Sequence, residues 1–256
     1  MRKHFPFFLV LIFILALSTF SMALAVDQTP GGSEQSDSFQ IQSPASIWPG
    51  QDGFGYLGST PTYAWIEISR GGTPVYLSDD DYAGPLDIGF GFVFYGTGYK
   101  QFYINSNGYL SFGEGATTLS NTCPLPDITL PDNIIALMWD DLDPGDTSDP
   151  VYYQSFPAGE CPYPKYAGAC LVVQYEDFCH YPGGVECTKA GTFEAILFDN
   201  DDIVIQFEDS GDEYGLSSTT GIENAHAALD YGLTYSCNNQ NLTDLSAIKF
   251  SPDPIL

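Results

Sequence analysis

Phe102-Tyr103-Ile104-Asn105-Ser106-Asn107-Gly108-Tyr109-Leu110-Ser111-Phe112 brings two short aromatic and β-branched runs together at an Asn-Gly pair. Asn and Gly tolerate positive φ better than other residues, so Asn107-Gly108 predicts a type I′ turn between antiparallel strands. Outward from this hairpin the pattern repeats. Short apolar runs at 63–68, 86–94, 134–139, 151–154, 169–175, 192–198, 203–207 and 232–235 alternate with Gly, Pro, Asn and Asp. Asn200-Asp201-Asp202 predicts a second hairpin, and residues 171–175 and 192–197 predict a third, whose loop holds Cys179 and Cys187. In the last of these strands Phe193, Ala195 and Leu197 share one face, and Thr192, Glu194 and Ile196 the other. Helical spacing is absent throughout. Many short antiparallel strands with turn chemistry between them predict an all-β fold, an antiparallel β-sandwich. A β-solenoid is the weaker alternative, because no tandem repeat is present.

The N-terminus reads as an export address. Arg2 and Lys3 precede an apolar run at 5–16, and Ala23-Leu24-Ala25 forms a small-residue cleavage site, so residues 1–25 are expected to be a signal peptide. Residues 26–50, rich in Ser, Gln, Gly and Pro, read as a flexible leader, and the folded domain is expected over 51–256. No later apolar stretch is long enough to span a membrane. The chain has 33 acidic against seven basic residues, a net charge of -26. Loss of the signal takes this to about -28, which excludes nucleic acid and anionic lipid as natural partners. The charge either keeps an exported protein soluble or collects cations.

All six cysteines, Cys123, Cys161, Cys170, Cys179, Cys187 and Cys237, follow the cleavage site. An even count behind a signal peptide predicts disulfides; six cysteines allow 15 connectivities. Cys161 to Cys170 and Cys179 to Cys187 each close a short loop bearing Pro or Gly at a strand end, leaving Cys123 to Cys237 as the long-range tie. No C-x-x-C pair exists and only two histidines, His180 and His226, lie beyond the signal, so zinc is not expected.

Asp140-Asp141-Leu142-Asp143-Pro144-Gly145-Asp146 crowds carboxylates at the end of an apolar strand. Such oxygens repel unless a cation or hydrogen-bond donors offset them, so Asp141, Asp143 and Asp146 are the candidate calcium ligands, although the loop lacks EF-hand spacing. The alternative is a solvated turn in which Asp side chains cap main-chain amides. Asp79-Asp80-Asp81 and residues 199–202 are weaker versions, expected to be turns. Calcium is the one candidate cofactor. Nucleophile elbows, zinc-protease motifs and phosphate loops are absent, so no catalytic residues are assigned. Trp65 and Trp139 read as core, whereas Tyr95, Tyr99, Tyr163 and Tyr166 either pack loops or form a contact surface for sugar or protein.

Phe94-Tyr95-Gly96, the 102–113 hairpin, Ile134 through Asp143, Val151-Tyr152-Tyr153, Thr192-Phe193 and Gly221-Ile222-Glu223-Asn224 together resemble the extracellular NIDO domain first described in nidogen, especially its bacterial versions. The resemblance runs over residues 55–250. It implies an extracellular module of matrix or adhesion proteins, or an accessory domain beside secreted enzymes, with no catalytic residues carried over. The expected function is a secreted, non-catalytic binding or adhesion module whose partner is an extracellular protein or polysaccharide. A self-assembling fibre or matrix subunit and a secreted carbohydrate hydrolase are the rivals.

Overall fold

The computed structural model describes residues 48–144, 150–183, 187–225 and 230–253. The predicted signal peptide, and the leader up to residue 47, lie outside them. Thirteen strands follow one another: β1 (Leu57–Ser59), β2 (Thr73–Val75), β3 (Tyr82–Phe94), β4 (Thr97–Asn105), β5 (Tyr109–Ser111), β6 (Ile134–Trp139), β7 (Val151–Phe156), β8 (Cys170–Cys179), β9 (Lys189–Phe198), β10 (Ile203–Asp209), β11 (Thr219–Glu223), β12 (Gly232–Cys237) and β13 (Ser246–Ser251). They form two antiparallel sheets, one of seven strands in the order β1-β13-β10-β9-β8-β7-β2 and one of six in the order β12-β11-β6-β5-β4-β3. The fold is therefore an all-β sandwich.

Alternation along the strands sets the layers. Phe193, Ala195 and Leu197 of β9, Leu171, Val173 and Tyr175 of β8 and Ile203, Ile205 and Phe207 of β10 all enter the central core. There they meet Phe102, Ile104, Leu110, Ile135 and Ile222 from the other sheet. Each fully buried side chain of this size contributes about 1.5–3 kcal/mol, so this layer dominates the stability. The outward residues of the seven-stranded sheet are apolar too. Val172, Ile196, Val204 and Ala247 form a second cluster that must be covered from outside.

Residues 61–68 supply the cover, and here the sequence expectation needs correcting. The predicted strand at 63–68 is extended but belongs to neither sheet. Its main-chain N–H groups donate to side chains: Ala64 to Gln206 Oε1 at 2.6 Å, Ile66 to Glu194 Oε1 at 3.1 Å and Ile68 to Gln174 Oε1 at 2.9 Å. Gln206, Glu194 and Gln174 are register partners on β10, β9 and β8. The segment thus crosses the strands as a strap, running from β1 at one sheet edge to β2 at the other and pressing Ile66 and Ile68 onto the outer cluster. Any half-buried extended chain alternates, so alternation alone does not distinguish a strap from a strand. Strands β1, β2, β11 and β13 carry too few apolar residues in a row to stand out in the sequence.

Trp48 packs edge-on against Tyr235 and Phe250, with centroids at 5.0 and 5.4 Å, so ordered packing begins before Gln51. Disulfides join Cys123 to Cys237, Cys161 to Cys170 and Cys179 to Cys187. Among the described residues no helix is long and apolar enough to cross a membrane.

Candidate functional site

The Asn107-Gly108 hairpin builds one end of the sandwich, though not through a type I′ turn. Gly108 takes φ 75° while Asn107 does not enter the positive region. The side chain of Asn107 is instead fully buried and acts as a hub. Its Oδ1 accepts the N–H of Leu142 at 2.8 Å and its Nδ2 donates to Asp80 Oδ1 at 2.9 Å. Its own N–H donates to Asn105 Oδ1 at 2.7 Å, closing the turn locally. Gly108 is required for a second reason. Its carbonyl accepts from both Leu137 and Met138, and a Cβ placed there would lie 2.2 Å from the Met138 oxygen.

That double acceptance marks a β-bulge, with Leu137 and Met138 both facing the core while Trp139 turns to the opposite side. The bulge re-aims the chain that follows, so Asp140 and Leu142 meet Asn107 rather than continue the sheet. From the other side Asp143 N–H donates to the Cys179 carbonyl at 3.0 Å and Tyr181 N–H to that of Asp141 at 2.8 Å. The Cys179–Cys187 disulfide anchors this supporting segment. Residues 79–81 arrive from before β3 and are fixed by reciprocal bonds between Asp81 and Ser106.

Asp79, Asp80 and Asp141 consequently each offer a carboxylate oxygen, all within 4.8 Å of one another. Burial raises the Asp141 carboxyl above its ordinary range, and the charges of Asp80, Asp79, Asp140 and Asp143 raise it further. Asp79 is raised by burial, then by Asp80 and Asp143. A hard, oxygen-preferring cation such as calcium would relieve this repulsion, with main-chain oxygens and water completing its shell. Of the candidate ligands, Asp141 is in the group. Asp143 stands beside it and accepts from Gly183 N–H at 3.3 Å, and Asp146 lies outside the described residues. Asp79 and Asp80, read in the sequence as a mere turn, are the members that sequence spacing did not place.

Asp140 is not a member of this group. It accepts from Ser217 Oγ and lies 3.0 Å from His180 Nδ1. Ser217 Oγ and His180 Nδ1 thus meet on the same carboxylate oxygen, Asp140 Oδ2.

The loop tyrosines divide. Tyr95 packs among Phe54, Tyr56, Phe94 and Tyr231 and donates to Asp52 at 2.8 Å; Tyr99 lies against Phe112. Both are packing residues. Tyr163 and Tyr166 stand half-buried at the opposite end from the acidic group, beside the Cys161–Cys170 disulfide. That end also holds a cleft of about 630 Å³ walled by Phe54, Val93, Gly96, Asp201 and Pro252.

Two buried carboxyls escaped the sequence reading. Glu194, under the strap, is raised well above the carboxylate range by burial. Glu223 on β11 is pushed up to about 8, chiefly by burial and then by Asp132 and Asp127, against the opposing hydrogen bond from Asp127 N–H. Glu223 falls within the Gly221-Ile222-Glu223-Asn224 motif, which was the available signal. No curated protein and no solved structure matches the chain. A family model described as NIDO related matches residues 55–253, which takes in all thirteen strands, both sheet ends and the acidic group, and the chain therefore belongs to the NIDO-related family.

Proposed function

We propose that this chain is an exported, non-catalytic binding module of an extracellular surface or matrix, presenting fixed loops at the ends of a rigid sandwich. The observation that carries the reading is where the disulfides lie. Cys123–Cys237 and Cys179–Cys187 tie loops at the acidic end, and Cys161–Cys170 ties the tyrosine loop at the other. With a core of this size already holding the sheets together, cross-links at the ends serve mainly to fix loop geometry. Preorganised loops bind without the entropic cost of ordering them. Family membership and disulfide content support an extracellular setting. The lack of nucleophile-elbow, zinc-protease and phosphate-loop motifs in the sequence supports the non-catalytic part.

The sheet edges favour a module over a fibre subunit built by strand addition. Asp201 Oδ1 accepts Val93 N–H on β3, and Ser155 Oγ donates to the Ile88 carbonyl on the same strand. Leu125 and Thr234 exchange bonds beside β12, Gly58 N–H of β1 donates to Gly50, and β2 contains Pro74, which lacks a donor. Such edges offer little to a neighbouring strand. Calcium at Asp79, Asp80 and Asp141 would stiffen one binding end. Expression of the full chain with its own N-terminus, followed by quantitative pull-down from fractionated cell-surface material, tests the proposal. Retention inside the cell with an intact N-terminus, or substrate turnover abolished by one carboxylate substitution, would overturn it.

A further inference from the structure

A groove on the outer face of the seven-stranded sheet combines aromatic faces with charged groups. Tyr163, Pro164, Lys165 and Tyr166 form a tight turn in which Tyr166 N–H donates to the Tyr163 carbonyl at 3.1 Å. Pro164 occupies the position that favours its fixed φ, and Lys165 takes φ 67°, where glycine is the ordinary residue. The turn thereby sets two tyrosines close together, and both rings pack edge-on to Phe198, with centroids at 5.1 and 4.6 Å. The Tyr166 hydroxyl is held by Asp199 and by Asn200 at 3.2 Å, so its ring is fixed in advance. The Cys161–Cys170 disulfide closes the base of the loop.

Two depressions meet at Tyr163. One, of about 230 Å³, has Phe198 and Val204 for a floor and the Asp202–Lys249 ion pair, at 2.6 Å, for a wall. The other, of about 320 Å³, runs along the strap between Tyr63 and Lys165. Asp202 also borders the 630 Å³ cleft at the end of the sandwich. The floor belongs to β9 and β10, whose main-chain groups are committed to neighbours on both sides. A peptide would find no free ladder there to pair with. An anionic polymer would be repelled by a chain of net charge -26. A pyranose ring meets the opposite situation, because its C–H face packs on an aromatic face and its hydroxyls donate to carboxylates and accept from ammonium groups at the rim.

We infer that this groove is a binding site for a neutral polysaccharide, with Tyr163 as the stacking face shared by two adjacent sugar subsites and the Asp202–Lys249 pair and Lys165 directing the hydroxyls. The inference rests on the binding-module reading and names its ligand class and site.

Affinity electrophoresis in gels cast with neutral polysaccharides (β-glucan, mannan, galactan), with alginate as a polyanionic control, tests it. The full chain is expected to be retarded by at least one neutral polymer and not by alginate. Tyr163→Leu, which keeps an apolar filler on Phe198 but removes the stacking face, is expected to weaken retardation on the order of tenfold, as truncation of an aromatic anchor does. Tyr76→Leu, at an exposed tyrosine outside the groove, is expected to leave retardation unchanged, and unchanged melting curves with intact disulfides establish that both variants fold. Retardation by no neutral polymer, or retardation untouched by Tyr163→Leu, overturns the inference. If surface-extract pull-down nevertheless succeeds, the module reading survives and the glycan groove alone fails. Tyr163-dependent capture of a protein without glycan retardation likewise overturns the ligand class.

Discussion

Replacing Glu223 by glutamine should change how the stability of the fold depends on pH. Glu223 is buried on β11; its Oε2 accepts Asp127 N–H at 3.0 Å while Oε1 has no hydrogen-bond partner. Its carboxyl is pushed from 4.5 to about 8 in the folded chain. The folded state therefore holds a proton that the unfolded state releases, and stability contributed below pH 4.5 is lost as pH rises through about 8. Each unit between those values removes about 1.4 kcal/mol, so about 3 kcal/mol has gone by pH 7 and about 4–5 by pH 8. The amide of Glu223→Gln keeps an acceptor for Asp127 and does not titrate. Its N–H₂ group, buried where Oε1 was, costs about 1–3 kcal/mol at every pH. Urea unfolding of the oxidised protein and variant at pH 5 and pH 8 isolates the effect, because other groups cancel in the difference. The variant should gain about 3 kcal/mol or more on wild type between the two pH values. A difference independent of pH would refute the burial argument.

Other perturbations probe the remaining features. Asn107→Ala removes the hub acceptor and donor together and should destabilise by about 2–3 kcal/mol in urea unfolding, with Gly108→Ala at least as damaging. Millimolar calcium should raise the melting temperature of the wild type, and Asp80→Asn with Asp141→Asn should abolish that shift while stabilising the calcium-free protein by relieving repulsion. Replacing both Cys161 and Cys170 by serine should cost about 2–3 kcal/mol in the chain-entropy account and increase proteolytic nicking at 162–168, leaving the core strands protected in hydrogen exchange.

Most of the sandwich was legible because its central strands bury both faces in bulky residues. Residues 134–139 and 192–198 could be little else, and the inward set Phe193, Ala195 and Leu197 follows from alternation. Strand β11 escaped because Ile222 is its one bulky apolar residue; the others are Thr, Gly and Glu, whose burial is made tolerable by partners no local pattern reveals, such as Leu137 accepting from Thr220 Oγ1 at 2.7 Å. The strap was misassigned for the converse reason: its local pattern is strand-like, and only Gln174, Glu194 and Gln206, more than a hundred residues away, decide its geometry. The acidic group was half legible. Asp141 stands in an obvious run, but its meeting with Asp79 and Asp80 depends on the bulge at Leu137 and on the buried side chain of Asn107.

The strap also orders events in time. Synthesis delivers residues 61–68 well before the strands they cross, and Ala64 waits for Gln206, 142 residues later in the chain, before its amide finds its partner. Until β8, β9 and β10 have paired, neither the row of polar side chains nor the apolar bed beneath it exists. What is made first must dock late, and closure of so long a loop is slow. The outer apolar face of the nascent sheet stays uncovered through that interval, and docking of the strap is the step that ends its exposure to a neighbour.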